Sequence, residues 1–207
     1  MVDFNKAIYL NPSRPKSYLY RYIAYSRTEN YQFAFGDINH YLTLAPSDTL
    51  GRVYRLEIAL KLKEYEAVNE DMIWLYKTMG DFFLQDYLPI LNTHFDASKK
   101  FADFQKILLG LRQINPNEIL ISESLIQNTY QMGQFELCLS QVDDILKRDP
   151  QNANLLKLKA DALFYLNRIS ESETIYLTLL DRSPSDGDLM ADYGHCLLQL
   201  ERYNDAD

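Results

Sequence analysis

The chain has 207 residues, 47% of them apolar, with 7 glycines and a formal net charge of −8. That apolar content excludes disorder as a whole-chain state, and the acidic balance argues against nucleic acid or an anionic membrane as a partner held by bulk charge. No run is long and apolar enough to span a bilayer, no signal-peptide pattern opens the chain, and 2 cysteines make no disulfide framework, so a reducing, cytoplasmic setting is expected.

The opening "VDFNKAIYLNP" reads as a helix already under way, over about residues 3–11, and it stops at Pro12. Pro46 follows 34 residues later, the next expected place holds Gly80, and Pro116, Pro150 and Pro184 continue the series at intervals of 36, 34 and 34. Proline lacks the amide donor and crowds the preceding turn, so each site ends one helix and lets another begin. The frame slips by two residues near "MGDFF". A second signal lies 15 residues before four of the prolines, where a polar pair lands on an apolar anchor. The triplets are "ENY" at Tyr31, "KKF" at Phe101, "GQF" at Phe135 and "NRI" at Ile169, with "KEY" at Tyr65 and "ERY" at Tyr203 in the same style. Gly133 and Asn167 open two of these turns, where a left-handed cap suits glycine and is tolerated by asparagine.

Helical spacing fills the intervals, as with Leu139, Val142 and Leu146 after the fourth turn and Leu156, Ala160 and Leu163 in the next unit. Each unit is therefore a helix, a tight turn, a second helix and a proline loop. The expected organisation is one array over 1–207: a partial repeat 1–14, repeats 15–48, 49–84, 85–118, 119–152 and 153–186, and a partial repeat 187–207 with a helix near 188–200. Pro89 interrupts "QDYLPILNTHF". With Asp86 as N-cap it would sit in the first turn, so that helix is expected to start near Asp86.

This pattern resembles the tetratricopeptide repeat. "NYQFAFGDINHYLTLAP" (residues 30–46) is similar to that family's second helix, with Ala34 as the small contact residue. "ANLLKLKADALFYLNR" is similar to its first helix, with Ala160 and Ala162 as the small residues. The resemblance implies an all-α fold, a right-handed superhelical solenoid of stacked antiparallel helix pairs. Tyr22, Asn92 and Ile126 depart from it by filling a slot the family keeps small, and the unit at 85–118 is loose. Cys138 stands in the slot of Ala34, and Cys196 in that of Ala24 and Ala162, so both are expected to be small packing residues.

Catalytic chemistry finds little support. His40, His94 and His195 are scattered over different units without metal-ligand spacing, and no phosphate loop, HExxH or nucleophile elbow occurs. No enzyme activity, metal or cofactor is expected. The acidic stretches "EYEAVNED" and "SESE" lie near second-helix starts, where carboxylates complement the dipole and solvate the outer face.

The resemblance implies that first helices line a concave groove. On that face fall Lys16, Leu19, Ile23 and Arg27, then Val53, Glu57, Leu60 and Lys61, then Thr93 and Asp96. Farther on come Leu120, Glu123, Gln127 and Tyr130, then Lys157, Asp161, Phe164 and Tyr165, and finally Asp188, His195 and Leu198. Tyr25, Tyr31, Tyr41 and Tyr65 read as core or turn anchors, whereas Tyr130 and Tyr165 fall on the inner stripe. Apolar patches with separated charges of both signs suit an extended or helical peptide.

Some members of the family hold acidic chaperone tails with a lysine–asparagine clamp. Here Leu19 and Ile23, Val53 and Glu57, Glu123 and Gln127, and Lys157 and Asp161 occupy those places, and none reproduces the clamp. The expected function is a non-enzymatic scaffold or adaptor whose partner is a protein or peptide segment. The alternatives are a substrate-positioning part of a larger enzyme such as a glycosyltransferase, or a self-assembling array. Phe4, Ile8 and Leu10 at one end, and Leu197, Leu200 and Tyr203 at the other, lack a neighbouring repeat, so the expectation is either an excerpt from a longer array or end-to-end self-association.

Overall fold

The computed structural model describes residues 2–200, and all of its regular structure is helical. In chain order the helices are α1 (Val2–Leu10), α2 (Pro15–Arg27), α3 (Tyr31–Leu44), α4 (Thr49–Leu62), α5 (Tyr65–Met79) and α6 (Asp81–Ser98). They continue as α7 (Phe101–Ile114), α8 (Ile119–Gln131), α9 (Phe135–Leu146), α10 (Ala153–Tyr165), α11 (Ile169–Arg182) and α12 (Gly187–Gln199). The apolar anchors Tyr31, Tyr65, Phe101, Phe135 and Ile169 are each the first residue of a second helix. Tyr203 lies outside the described residues.

A left-handed residue stands two positions before every one of those anchors: Glu29 (φ 58°), Lys63 (φ 63°), Lys99 (φ 55°), Gly133 (φ 72°) and Asn167 (φ 60°). Such a backbone suits glycine and is tolerated by asparagine, but it is strained for lysine or glutamate. Three of the five turns are therefore held by their surroundings rather than by their own residue type. After the prolines, the side chains of Asp48, Asn152 and Asp186 accept hydrogen bonds from the first-turn amides of α4, α10 and α12. These caps satisfy donors that have no partner within the helix.

The two-residue frame slip is the net of longer helices and a shorter loop. Helix α5 has 15 residues where α3 has 14, and α6 has 18 where α4 has 14, which outweighs the shortened connection between α5 and α6. Gly80 alone connects α5 to α6, with φ 70° and ψ −154°, a combination essentially restricted to glycine. The corresponding loop between α3 and α4 runs over residues 45–48. The expectation that Pro89 opens a helix near Asp86 is corrected here: α6 starts at Asp81, and Pro89 lies inside it. Pro89 is exposed, and its carbonyl accepts a hydrogen bond from Thr93 Oγ1 at 3.0 Å.

The chain divides into two compact units, Met1–Glu118 and Ile119–Asp207. In the first, one core cluster joins Tyr18, Tyr22, Ala34, Ile38, Tyr41, Leu42 and Ile58. In the second, Ile126, Cys138, Leu139, Val142, Leu155, Leu158, Ala162 and Leu163 form one cluster, and Ala160, Tyr176, Leu179, Leu189 and Cys196 another. The small slots behave as the repeat requires, with Ala34, Cys138, Ala160, Ala162 and Cys196 fully buried. Where Tyr22 fills such a slot, its hydroxyl reaches the carbonyl of Tyr54 at 3.3 Å, so the polar tip is satisfied.

Two expectations about exposure are corrected. Leu197 is fully buried rather than left open, although Leu10 is 70% exposed. Asp71, the last residue of "EYEAVNED", is fully buried between Arg52 and Arg55 instead of solvating an outer face. Ser172 within "SESE" is also fully buried, donating to the carbonyl of Ala160 at 2.8 Å.

Candidate functional site

Within the first unit, the first-helix residues present a mixed surface. Lys16 and Arg27 are exposed on α2, with Leu19 and Ile23 half-buried between them. Ile23 and Arg27 line an apolar hollow of about 480 Å³ with Phe4, Tyr20, Ala24 and Thr28. On α4, Glu57 and Lys61 are exposed and Val53 is half-buried. Leu60 differs from expectation: it is buried in the core, although it lies at helical spacing from the exposed Glu57 and Lys61. Lys61 Nζ lies 4.9 Å from the centre of the Tyr31 ring, a cation–π distance that ties α4 to the start of α3. Burial, and then the Glu57 carboxylate, push the Tyr87 hydroxyl of α6 above its ordinary pKa. Thr93 and Asp96 are exposed farther along α6, where Asp96 pairs with Lys99 at 3.0 Å.

In the second unit five of the expected residues come together. Tyr130 from α8, Lys157, Asp161 and Tyr165 from α10, and His195 from α12 line one cleft of about 150 Å³, together with Phe164, Tyr176 and Asp192. The helical register explains the set: positions 157, 161, 164 and 165 share one face of α10, and 192 and 195 share one face of α12. Lys157 Nζ is 2.5 Å from Asp192 and 3.6 Å from Asp161. The Tyr176 hydroxyl donates a short hydrogen bond to Asp161.

Burial raises the pKa of Asp161 above the usual carboxylate range, against the opposing pull of Tyr176 and Lys157. Burial likewise holds the Tyr130 and Tyr176 hydroxyls in the neutral form, reinforced in both by the charge of Asp161. Lys157, Asp161, Asp192 and Tyr176 are thus paired with one another.

The aromatic rings are arranged differently. Tyr165 is 62% exposed and stacks on Phe135 at a centroid distance of 4.9 Å and an angle of 5°. Tyr130 is half-buried against the core cluster and meets both Phe135 and Tyr165 edge-on. Tyr165 faces solvent, whereas Tyr130 belongs as much to the core as to the cleft.

The remaining expected residues lie outside the cleft. Glu123 accepts a hydrogen bond from Asn152 Nδ2 at 3.1 Å and so braces the cap of α10. Gln127 is exposed on α8, and Asp188 and Leu198 are exposed on α12. Sequence reasoning missed Asp192 and Tyr176. Asp192 had a signal, since it falls between Asp188 and His195 at helical spacing; Tyr176 had none, because it reaches the cleft from a second helix.

Burial pushes the Cys138 thiol up to about 11, and it also raises that of Cys196, as expected of packing residues rather than reactive thiolates. Among the described residues, no group of three or more His, Cys, Asp or Glu is placed to hold a metal ion. No described helix is long and apolar enough to cross a membrane.

Repeated helix pairs with small residues at their contacts and an anchor at each internal turn define a tetratricopeptide-repeat fold. Solved structures share it. A chain of Naa15/Naa10 bound to HypK-THB matches with a TM-score of 0.69 and 15% identity, over 94% of this chain and 30% of that one. YrrB, a TPR protein with an unusual peptide-binding site, matches with a TM-score of 0.52 and 17% identity, over 90% of this chain and 94% of that one. A tetratricopeptide repeat protein from Parabacteroides merdae matches with a TM-score of 0.54 and 14% identity, over 98% of this chain and 80% of that one.

In sequence, the chain is 22% identical over 189 residues to a DnaJ homolog subfamily C member 7 homolog of Dictyostelium discoideum, covering 84% of this chain and 35% of that protein. The chain therefore spans about a third of the length of that relative. No protein-family model matches.

Proposed function

We propose that the chain is a non-enzymatic scaffold or adaptor that holds a peptide segment of another protein on its first-helix faces. The observation that carries this reading is the cleft of the second unit. It combines an exposed tyrosine on a rigid stacked support with charged groups already fixed by mutual pairing. Large aromatic area with few rotors, beside preorganised polar groups, is what a recognition surface needs. Two structural relatives are described in terms of binding, Naa15/Naa10 with HypK-THB and YrrB with its peptide-binding site.

Acidic chaperone tails are poor candidates for the bound segment. The one ammonium group in the cleft, Lys157, already faces two carboxylates, so an incoming carboxylate meets repulsion as well as attraction. Partners captured on the purified chain and identified by mass spectrometry would be retested against Tyr165→Ala and Lys61→Glu, with the outward-facing Leu177→Ala as control. The expected result is that at least one of the first-helix changes weakens capture and the control does not. Capture unaffected by both first-helix changes would refute the assignment of the binding face.

A further inference from the structure

The cleft between α8, α10 and α12 has an unequal charge balance. Two carboxylates, Asp161 and Asp192, surround one ammonium, Lys157, while His195 stands exposed at the rim and the hydroxyls of Tyr130 and Tyr176 stay neutral. The Asp192 side chain is still 35% exposed although Lys157 touches it. Beside it, Tyr165 is stacked through one face on Phe135 and meets the Phe164 edge at a centroid distance of 6.0 Å. Its exposure of 62% leaves the ring accessible to a ligand. An aromatic face is negative at its centre and attracts a cation laid over it. Excess carboxylate and an accessible ring therefore favour the same sign of ligand charge.

We propose that this cleft receives the cationic side chain of a lysine or arginine in the bound peptide, with its stem across Tyr165 and its charge beside Asp192. The inference rests on the peptide-binding reading above and adds the sign of charge that is recognised. A second cation near Asp161 compensates a carboxylate whose burial is only partly offset by Tyr176 and Lys157. The formal charge of the whole chain, −8, acts in the same direction by steering basic segments toward it. A glutamate or aspartate in that place would add a third carboxylate to a site with one ammonium.

The test selects a random dodecapeptide phage library against the whole 207-residue chain, then measures synthetic fluorescein-labelled copies of the recovered peptides by anisotropy. The recovered set is expected to hold lysine or arginine at one fixed position. Replacing that residue by norleucine should raise Kd about tenfold, and replacing it by glutamate should raise Kd further. Asp192→Asn should abolish the difference between the basic and norleucine peptides, whatever it does to the norleucine peptide's own affinity. Tyr165→Ala, a change at an exposed ring, serves as a second variant and should shrink the same difference. Peptides without a fixed basic position, or a basic preference that survives both variants, would overturn the cation pocket and leave peptide binding intact. Recovery of no binding peptide at all would overturn both readings.

Discussion

Arg55 grips both carboxylate oxygens of Asp71, through Nε and Nη2, each at 2.7 Å. The pair is a copy. Arg21 holds Asp37 through the same two nitrogens at 2.7 and 2.6 Å, and each member stands 34 positions earlier. Even the third partner repeats, since Nη1 of Arg21 donates to Asn5 and Nη1 of Arg55 to Asn39. Asp71 is fully buried and also accepts from Arg52 at 2.9 Å, so removing it leaves two guanidinium groups with the exposed Glu70 as their remaining carboxylate partner. Asp71→Ala should destabilise the first unit by about 3–5 kcal/mol, whereas Asp71→Leu combined with Arg55→Met should recover more than half of that loss. Trp74, the only tryptophan, lies 4.5 Å from Arg52, so its fluorescence in a urea titration reports on this unit. A loss below about 1 kcal/mol for Asp71→Ala would show that the buried pair contributes little.

The hydrogen bond from the Tyr41 hydroxyl to Asp48, 2.6 Å long, should make the stability of the first unit fall on both sides of neutrality. Tyr41 and the amide of Gly51 hold Asp48 below its ordinary value, so its contribution is complete above the unfolded value of about 3.9. It is lost as pH falls through the lower folded value, because the unfolded state then binds more protons. Tyr41 is pushed up to about 12, first by burial and then by Asp48. Between about pH 10 and 12 the unfolded tyrosine gives up its proton first, and stability falls as pH rises. Tyr41→Phe should therefore cost about 1–2 kcal/mol at pH 7 and less at pH 3 or pH 11. Urea titrations of both proteins at the three pH values check this, and a cost that stays constant with pH would contradict it.

Much of the fold was legible because its punctuation is chemical. A polar pair before Tyr31, Phe101, Phe135 or Ile169 marks a turn regardless of tertiary context, and those residues do open helices. Burial of charge was not legible. Asp71 and Glu70 are adjacent acids, yet Asp71 is fully buried and the Glu70 side chain is 59% exposed. The arginines that pair with both acids, Arg52 and Arg55, come from α4 and cannot be read from α5 alone. The cleft was half-legible, since Lys157, Asp161 and Tyr165 follow from α10 alone, while Tyr176 depends on how α11 packs against it.

Pro89 should be a point of avoidable instability. Inside α6 it cannot donate to the carbonyl of Gln85, and its ring crowds that same carbonyl. Its side chain is exposed, so little packing is lost on replacement. Pro89→Ala should stabilise the first unit by about 2 kcal/mol, the helix penalty of about 3 being offset by greater freedom of the unfolded chain. The Trp74 urea midpoint should rise accordingly. An unchanged or lower midpoint would mean that the surrounding structure requires the proline geometry.

Tyr130 and Tyr165 should separate binding from stability. Tyr165 is mostly exposed, so Tyr165→Ala should cost less than about 1 kcal/mol, chiefly the lost stacking on Phe135. Tyr130 packs against the cluster of Leu139, Leu155 and Ala162, and Tyr130→Ala should cost about 2–4 kcal/mol by leaving a cavity there. Tyr130→Phe keeps the ring and should be nearly neutral. Trp74 lies in the other unit, so the readout is amide hydrogen exchange in peptides from α8 to α10. Faster exchange in Tyr130→Ala but not in Tyr165→Ala is the expected outcome. Equal acceleration in both would make Tyr165 a core residue, and any binding loss caused by its removal could then no longer be assigned to contact with a ligand.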